Sequence, residues 1–317
     1  DYYHKKTRDL LQDVKIPSST GFGSMMVNSG HITNEGLELT GKFYVLQNTP
    51  LKWNIDANIS FNRNRIGGLK ADQFAQKLWS SADEVFIQRN GCPIGAIYGY
   101  VEDGFYDNLA EVMASPSADI RAKGAGMIGE IKYRNFDDNP DITSADRVII
   151  GDTNPDFVYG LTSNFEWKGV TLSFFLQGSQ GNDIFNGNLM DMKMGNVGNI
   201  THEAYNTRWT EANAAQAKWP KAVSGYERNM LISNRYVEDG SYLKLKSLNI
   251  GYVWKPNFKG ISNVNVYASA TNLFTITGYS WFDPEVNAFG SDASRRGVDV
   301  YSYPSSRTFS LGIKVDF

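Results

Sequence analysis

The chain has 317 residues, 41% of them hydrophobic, and its 31 basic and 34 acidic residues give a formal charge of -3. No stretch approaches the roughly 20 consecutive apolar residues that a membrane-spanning helix requires, and no long block of one charge sign makes an electrostatic case for nucleic acid. Cys92 is the single cysteine, so no intrachain disulfide can form, and beside Gly91 and Pro93 it reads as a small loop residue rather than a nucleophile.

The chain opens on Asp1-Tyr2-Tyr3 without a methionine, a basic segment or an apolar segment of a targeting signal. It starts as if within a strand, and is expected to be the C-terminal portion of something larger. A turn-rich stretch, 16 to 30, follows the first β-formers. From His31 the alternation is regular. Leu37, Leu39, Gly41, Phe43 and Val45 share one face, and Glu38, Thr40, Lys42 and Tyr44 the other. After a turn at 47–50, Trp53, Ile55, Ala57, Ile59 and Phe61 oppose Asn54, Asp56, Asn58, Ser60 and Asn62, giving a long hairpin.

Residues 64–155 are less regular. A helical turn or two is expected between Asp72 and Phe86, a short aromatic strand between Ile97 and Phe105, and only short helical pieces around Pro116. Alternation returns with Phe157, Tyr159, Leu161, Ser163, Phe165 and Trp167. A tight turn at Lys168-Gly169 leads to Val170, Leu172, Phe174 and Leu176. After a polar region of some length, Tyr242 to Trp254 forms a strand whose pattern shifts near Lys246 and Ser247, as a bulge would shift it. Val264 to Ile276 follows, then a long loop from Gly278 to Pro304. The final strand places Phe309, Leu311, Ile313, Val315 and Phe317 opposite Thr308, Ser310, Gly312, Lys314 and Asp316.

So apolar a ribbon fits the inner face of a soluble sandwich, a soluble barrel, or a lipid-facing strand of a transmembrane barrel. Two asymmetries favour the last. Connections at 46–52, 168–169 and 255–262 are short, whereas those at 13–31, 64–155, 183–240 and 278–304 are long, the rhythm of an up-and-down barrel with one elaborate end. Trp53, Trp167, Trp254 and Phe317 fall on the apolar face beside the short connections, as a membrane girdle would. Glu38, Lys42, Asp56, Glu166, Lys314 and Asp316 all have the parity of the polar face. A lysine or arginine at the bilayer midplane costs roughly 2–4 kcal/mol, so a lipid face is purged of charge. The reading is an all-β, antiparallel, transmembrane up-and-down barrel with long extracellular loops and short periplasmic turns. At least eight spans are expected, near residues 1, 32, 51, 156, 170, 241, 263 and 305, and 64–155 can add a pair.

An ordered set of segments resembles one family. It comprises Asp1-Tyr-Tyr-His-Lys-Lys-Thr-Arg-Asp-Leu-Leu, His31-Ile-Thr-Asn-Glu-Gly-Leu-Glu-Leu, Gly95-Ala-Ile-Tyr-Gly-Tyr, Asn154-Pro-Asp-Phe-Val-Tyr-Gly and Gln180-Gly-Asn-Asp-Ile-Phe-Asn. Arg208-Trp-Thr-Glu, Tyr242-Leu-Lys-Leu-Lys-Ser-Leu-Asn-Ile-Gly-Tyr, Asn272-Leu-Phe-Thr-Ile-Thr, Phe282-Asp-Pro-Glu and Tyr303-Pro-Ser-Ser-Arg-Thr-Phe-Ser-Leu-Gly complete it. Together they resemble the SusC/RagA family of TonB-dependent outer-membrane transporters. The resemblance implies that residues 1–317 are the C-terminal part of a 22-stranded barrel, with plug and TonB-contacting segment outside this sequence. It implies location in the outer membrane of a Gram-negative bacterium, import of glycans or peptides, a SusD-like surface lipoprotein as lid, TonB as energy donor and a dimeric SusC2D2-type assembly. It also implies that the terminal aromatic strand ending at Phe317 is the signal for barrel assembly. A passive porin or receptor barrel, and a soluble carbohydrate-binding β-protein, are the alternative readings.

Local constellations are sparse. Asn135, Asp137, Asn139, Asp141, Thr143 and Asp146 occupy positions 1, 3, 5, 7, 9 and 12 of a calcium-loop register. Pro140 stands where the turn glycine belongs, and an acidic loop of Asx turns is the competing reading. Tyr98, Tyr100, Tyr279, Trp281 and Phe282 are candidates to stack on a substrate or a lid, against the alternative that they pack their own loops. His4, His31 and His202 lack metal-ligand spacing, and no catalytic triad, phosphate loop or zinc motif is present, so no enzyme activity is expected.

Overall fold

The computed structural model describes the chain from Asp1 to Phe317 except residues 9–10, 16–18, 20–23, 29, 78–83, 195–198, 224–226, 258–259 and 291. Its largest element is an eight-stranded sheet in which sequence neighbours are spatial neighbours and every pairing is antiparallel. The strands are β1 (Tyr2–Arg8), β2 (His31–Leu46), β3 (Leu51–Gly67) and β4 (Phe157–Trp167). β5 (Val170–Gln180), β6 (Tyr242–Trp254), β7 (Asn263–Thr277) and β8 (Thr308–Asp316) complete the wall. These are the spans that alternation leads one to expect.

Register explains the chemistry of the two faces. One row across the wall reads Phe43, Ile55, Ser163, Phe174, Leu248, Ala270 and Phe309. The adjacent row, one residue along, reads Tyr44, Asn54, Asn164, Ser173, Asn249, Ser269 and Ser310. Side chains alternate sides along a strand, so the first row faces lipid and the second the lumen. Ser163 is the one hydroxyl in the apolar row, and it accepts the Trp53 indole N–H at 2.9 Å. On the lumen side Asn164 donates to Asn54 (2.9 Å) and accepts from Ser173 (2.7 Å). The ion pairs Lys42–Asp56 (3.5 Å) and Lys52–Glu166 (3.3 Å) join register partners on that same side.

The height of the apolar face fits a bilayer. β4 has 11 residues, so its end Cα atoms lie about 33 Å apart, and a tilt of about 40° turns that into about 25 Å along the membrane normal. Trp167 (50% exposed), Trp254 (48%) and Phe317 (91%) stand at the short-turn end of this face. Trp53 lies just above them, half-buried, with its ring stacked on Phe165 at 5.3 Å. At Lys168-Gly169 both residues have positive φ, 47° and 86°, which matches the twist of the flanking strands in a two-residue hairpin. A side chain at Gly169 would meet the Val253 carbonyl at 2.7 Å.

Two bulges adjust the wall. The expected shift at Lys246 is present, because pairing steps from Leu245 with Phe274 to Ser247 with Thr271. A second lies at Val45, which sequence alternation assigns to the apolar face. The ladder skips it and sets Leu46 opposite Trp53 instead.

The interval 64–155 adds no strand to the wall among the described residues. Gln73–Lys77, Glu84–Gln88, Ala96–Gly99 and Val148–Asp152 form a separate four-stranded sheet. The helical turns expected between Asp72 and Phe86 are therefore corrected to strands where that segment is described. Val85, Phe86 and Ile87 are all fully buried, and a run buried on both sides carries no period by which to tell strand from helix. Two short helices, Leu109–Met113 and Ala118–Lys123, flank Pro116 as expected. In the stretch read as turn-rich, Ser24–Asn28 pairs with Leu11–Lys15 as a further hairpin. The long connections share one core of Phe86, Ile97, Tyr100, Ile131, Phe185, Met190, Ile232, Tyr236 and Val298. They form a folded cap at the long-loop end of the wall.

The two faces of β8 should respond differently to charge. Leu311→Arg is expected to lower the stability of the assembled barrel by about 2–4 kcal/mol, and Ser310→Arg by far less. Heat-modifiable gel migration through a denaturant series in lipid vesicles measures both.

Candidate functional site

The cap is tied to the wall by a charged clamp. Lys244 lies on the lumen face of β6 and is 1% exposed. Its ammonium donates to Asp283 Oδ1 at 2.9 Å and also to Glu285 Oε2, which Lys246 reaches at 2.6 Å. The Tyr242 hydroxyl donates to Glu285 Oε1 at 3.2 Å. Asp283 accepts the backbone N–H groups of Glu285 (3.0 Å) and Ser305 (3.1 Å). Thus the Phe282-Asp-Pro-Glu segment and the Tyr242 strand, forty residues apart in the motif series, become one site. Burial alone would raise the Asp283 pKa, but the Lys244 ammonium and the Glu285 and Ser305 donors hold it down to about 2. Glu285 is likewise held below its ordinary value against the effect of burial, by Lys244 and Lys246.

The cap also holds a cleft of about 540 Å³ lined by Glu102, Trp219, Arg235, Glu238, Ser280 and Trp281, among others. Its floor is a nearly buried ion pair. Arg235 Nε donates to Glu102 Oε1 at 2.8 Å, Ser233 donates to the same oxygen at 2.9 Å, and the guanidinium lies 5.2 Å from the Trp219 ring centre. Glu238 is the second acidic wall. It accepts Asn186 Nδ2 (2.7 Å), the Ser280 N–H (2.8 Å) and the Ser280 hydroxyl (2.8 Å), which fixes the backbone next to Trp281. Two cations (Arg235 and Lys218), three carboxylates (Glu102, Glu203 and Glu238) and two indoles around one opening can hold a polar ligand by hydrogen bonds and stack on a flat apolar or sugar face.

The expected aromatic residues separate into two groups. Tyr98 (7% exposed), Tyr100 (5%) and Tyr279 (5%) are buried in the cap. Tyr98 lies under Arg147, with the guanidinium 4.7 Å from the ring centre, and Tyr100 packs on Tyr133 at 5.6 Å. Tyr279 donates to Asp299 at 2.7 Å, and burial pushes its hydroxyl pKa up. Trp281 lines the cleft, edge to face with Phe282 at 5.2 Å, and Phe282 is 71% exposed. The cleft residues Glu102, Trp219 and Arg235 were not singled out by sequence. Trp209 and Trp219 within a polar stretch are the one signal that could have drawn notice to it.

In the acidic loop the side chains serve the backbone. Asp137 N–H donates to Asn135 Oδ1 (3.0 Å), Asn139 N–H to Asp137 Oδ1 (2.8 Å), and Asp141 N–H to Asn139 Oδ1 (3.1 Å). These are successive Asx turns. Thr143 and Asp146 form a capping box, in which Asp146, fully buried, accepts from Phe136 N–H (2.8 Å) and Thr143 N–H (2.7 Å). Among the described residues no group of three or more His, Cys, Asp or Glu converges as a metal cage.

No family model matches the sequence. Relatives do, over the whole of this chain. The TonB-dependent receptor P3 of Formosa agariphila is 34% identical over 333 aligned residues, 100% of this chain and 32% of that protein. The TonB-dependent receptor SusC of Bacteroides thetaiotaomicron is 28% identical over 331, again 100% of this chain and 30% of that protein. Among solved structures, a chain of the RagAB peptide transporter superposes with a TM-score of 0.74 at 23% identity, covering 100% of this chain and 32% of that one. Over its whole length the chain is thus similar to a part of TonB-dependent receptors, in sequence and in its antiparallel wall. Its likeness extends to SusC and to the RagAB fold, and it spans about a third of the length of the curated relatives it matches.

The clamp is acid-sensitive, with a definite sign. The ordinary Asp pKa is 3.8 and the folded value about 2, so as pH falls the unfolded chain takes up the proton first. The stabilisation, about 2 kcal/mol, is full above roughly pH 4 and lost as pH approaches 2. Asp283→Asn should remove the Asp283 share of this pH dependence and leave that of Glu285, read as proteolytic release of the 278–307 loop in an acid titration of the assembled barrel. Independently, Asp146→Ala removes the capping box and two N–H acceptors, and is expected to cost about 1–3 kcal/mol of local stability by hydrogen exchange of the 135–147 amides.

Proposed function

We propose that this chain is the C-terminal part of the barrel of an outer-membrane, TonB-dependent importer of oligosaccharides or peptides, working with a SusD-like surface lipoprotein in a dimeric complex. The observation that carries the reading is the pairing of a lipid-facing wall with a folded external cap. The cap presents a cleft with Trp281 and the Glu102–Arg235 pair, and it is anchored by Lys244 to the lumen side of the wall. A barrier-forming wall needs no such cap, whereas a receptor that selects its cargo does. The TonB-dependent receptor SusC, to which the chain is similar, supports TonB-dependent import, and the RagAB peptide transporter, whose fold it shares, supports peptides among the cargo. Energy from TonB would enter through parts of the protein beyond these residues, and the residues here supply wall, lumen and external contacts. No step of bond making or breaking is assigned to the cleft.

The test uses the full-length protein in its native complex. Trp281→Ala is expected to weaken capture of oligosaccharide or peptide by about 2- to 12-fold, the worth of one stacking aromatic, while surface abundance stays unchanged. Labelled substrate libraries and uptake in cells with and without the inner-membrane proton gradient give the readout. Uptake that continues without the gradient would make the barrel a passive pore. Unchanged capture by the variant would remove the cleft from the reading.

A further inference from the structure

We propose that Glu130 is a positioning residue behind the cleft, whose protonation sets how firmly the segment bearing Lys218 and Trp219 is held against the rest of the cap. This rests on the reading of the cleft as the place of capture, and it makes that capture pH-dependent. Lys218 and Trp219 line the cleft, and they belong to a double strap. Residues 207–209 and 218–219 run side by side, with Lys218 N–H donating to the Thr207 carbonyl at 2.8 Å and Trp209 N–H to the Trp219 carbonyl at 2.7 Å. On the cleft side Arg235 donates to the Lys218 carbonyl. On its other side the strap rests on the turn 126–130. Lys221 N–H donates to the Gly129 carbonyl at 2.9 Å, and the Lys221 ammonium donates to the Gly126 carbonyl. Gly129 (φ 85°) lies so close that a Cβ there would meet the Trp209 ring at 2.6 Å and Lys221 Cβ at 3.0 Å.

Glu130 ends this turn and is fully buried. Neither carboxylate oxygen has a hydrogen bond among the described residues, and the Lys221 ammonium lies 3.6 Å from Oε1. The other charged group acting on it is Arg228, whose Nε and Nη2 are also buried without a partner, and the Asn229 amide is the neutral one. An ionised carboxylate so placed has given up water without gaining donors in exchange. Burial outweighs Lys221, Asn229 and Arg228, and raises the pKa above the ordinary 4.5. The packed strap therefore favours the protonated acid. Its sign is opposite to that of the clamp: the added stability is full below about pH 4.5 and is lost as pH rises through the folded value. Asp283 and Glu285, held low, weaken the clamp only as pH falls below their ordinary values. Once ionised, Glu130 draws toward water and the strap loosens, so Trp219 and Lys218 lose their fixed place at the cleft.

The test takes the full-length protein in its native complex from mild acid to mild alkali, and reads hydrogen exchange of the 207–221 amides beside capture of labelled peptide and oligosaccharide libraries. Variants are compared at the same pH, so that intrinsic exchange rates cancel. Wild type is expected to lose strap protection as pH rises, by at most about tenfold per pH unit, the limit for one linked proton, with capture falling in parallel. Glu130→Gln keeps the shape without the charge, and should hold the acid level of both across the range. Lys221→Gln removes a charge that lowers the Glu130 pKa, so the loss should deepen and extend to higher pH. Heat-modifiable migration reports folding, and if Glu130→Gln fails to assemble, the Lys221→Gln shift still decides. A wild-type profile parallel to that of Glu130→Gln, or an unmoved Lys221→Gln profile, would overturn the role of Glu130. Strap protection that follows pH while capture does not would overturn its control of the cleft. If instead Trp281→Ala captures like wild type, the cargo reading fails, and exchange alone decides the role of Glu130.

Discussion

A one-residue slip in the wall would exchange Phe43, Ile55, Phe174, Leu248 and Phe309 for Tyr44, Asn54, Ser173, Asn249 and Ser310. Amides would then face hydrocarbon, where no water can satisfy them, and apolar groups would line the lumen. That penalty recurs at every row, so register in this sheet is strongly specified. The short hairpins confirm it locally, through the paired positive φ values at Lys168-Gly169. Everything else about the molecule presupposes this fixed ladder.

Because register is fixed, each residue has a known face and height, and the two solvents can be handled separately. On the lipid side the only hydroxyl of the central row is capped by the Trp53 indole. On the lumen side, Lys42 sits opposite Asp56 and Lys52 opposite Glu166, so these charges are met by partners across the ladder. The same ladder delivers Lys244 to a buried lumen position at the outer end of β6. There it is tolerable only because Asp283 accepts from it and Glu285 neutralises it a second time. An isolated ammonium at 1% exposure would be costly. The clamp thus converts a wall residue into an anchor for the cap.

The cap follows different rules. Its strands are short, its core is drawn from separate connections, and its polar residues work by satisfying backbone groups, as the Asx turns of 135–141 and the Asp146 capping box do. Tyr98, Tyr100 and Tyr279 belong to this packing. Of the five aromatic residues expected to meet a ligand, Trp281 and Phe282, next to the Glu238–Ser280 contacts, are the two that keep access. Position within a packed unit, rather than residue type, decides which aromatic residues are free to meet a ligand.

The sequence by itself determined the wall: the eight spans, their faces, the tight turn at Lys168-Gly169 and the bulge at Lys246 are all written as period-two alternation and its interruptions. Such information is local, because successive side chains in an extended strand must point to opposite sides. Only the tertiary structure decided that Asp72 to Phe86 supplies strands rather than helical turns where it is described, that Val45 is bulged out of the ladder, and that Glu102, Trp219, Arg235 and Trp281 meet at one opening. Those outcomes depend on long-range packing between segments with no shared period. Asp283 and Lys244 show the difference most clearly. Each is an ordinary charged residue along the chain, and only contact across the fold gives either its partner.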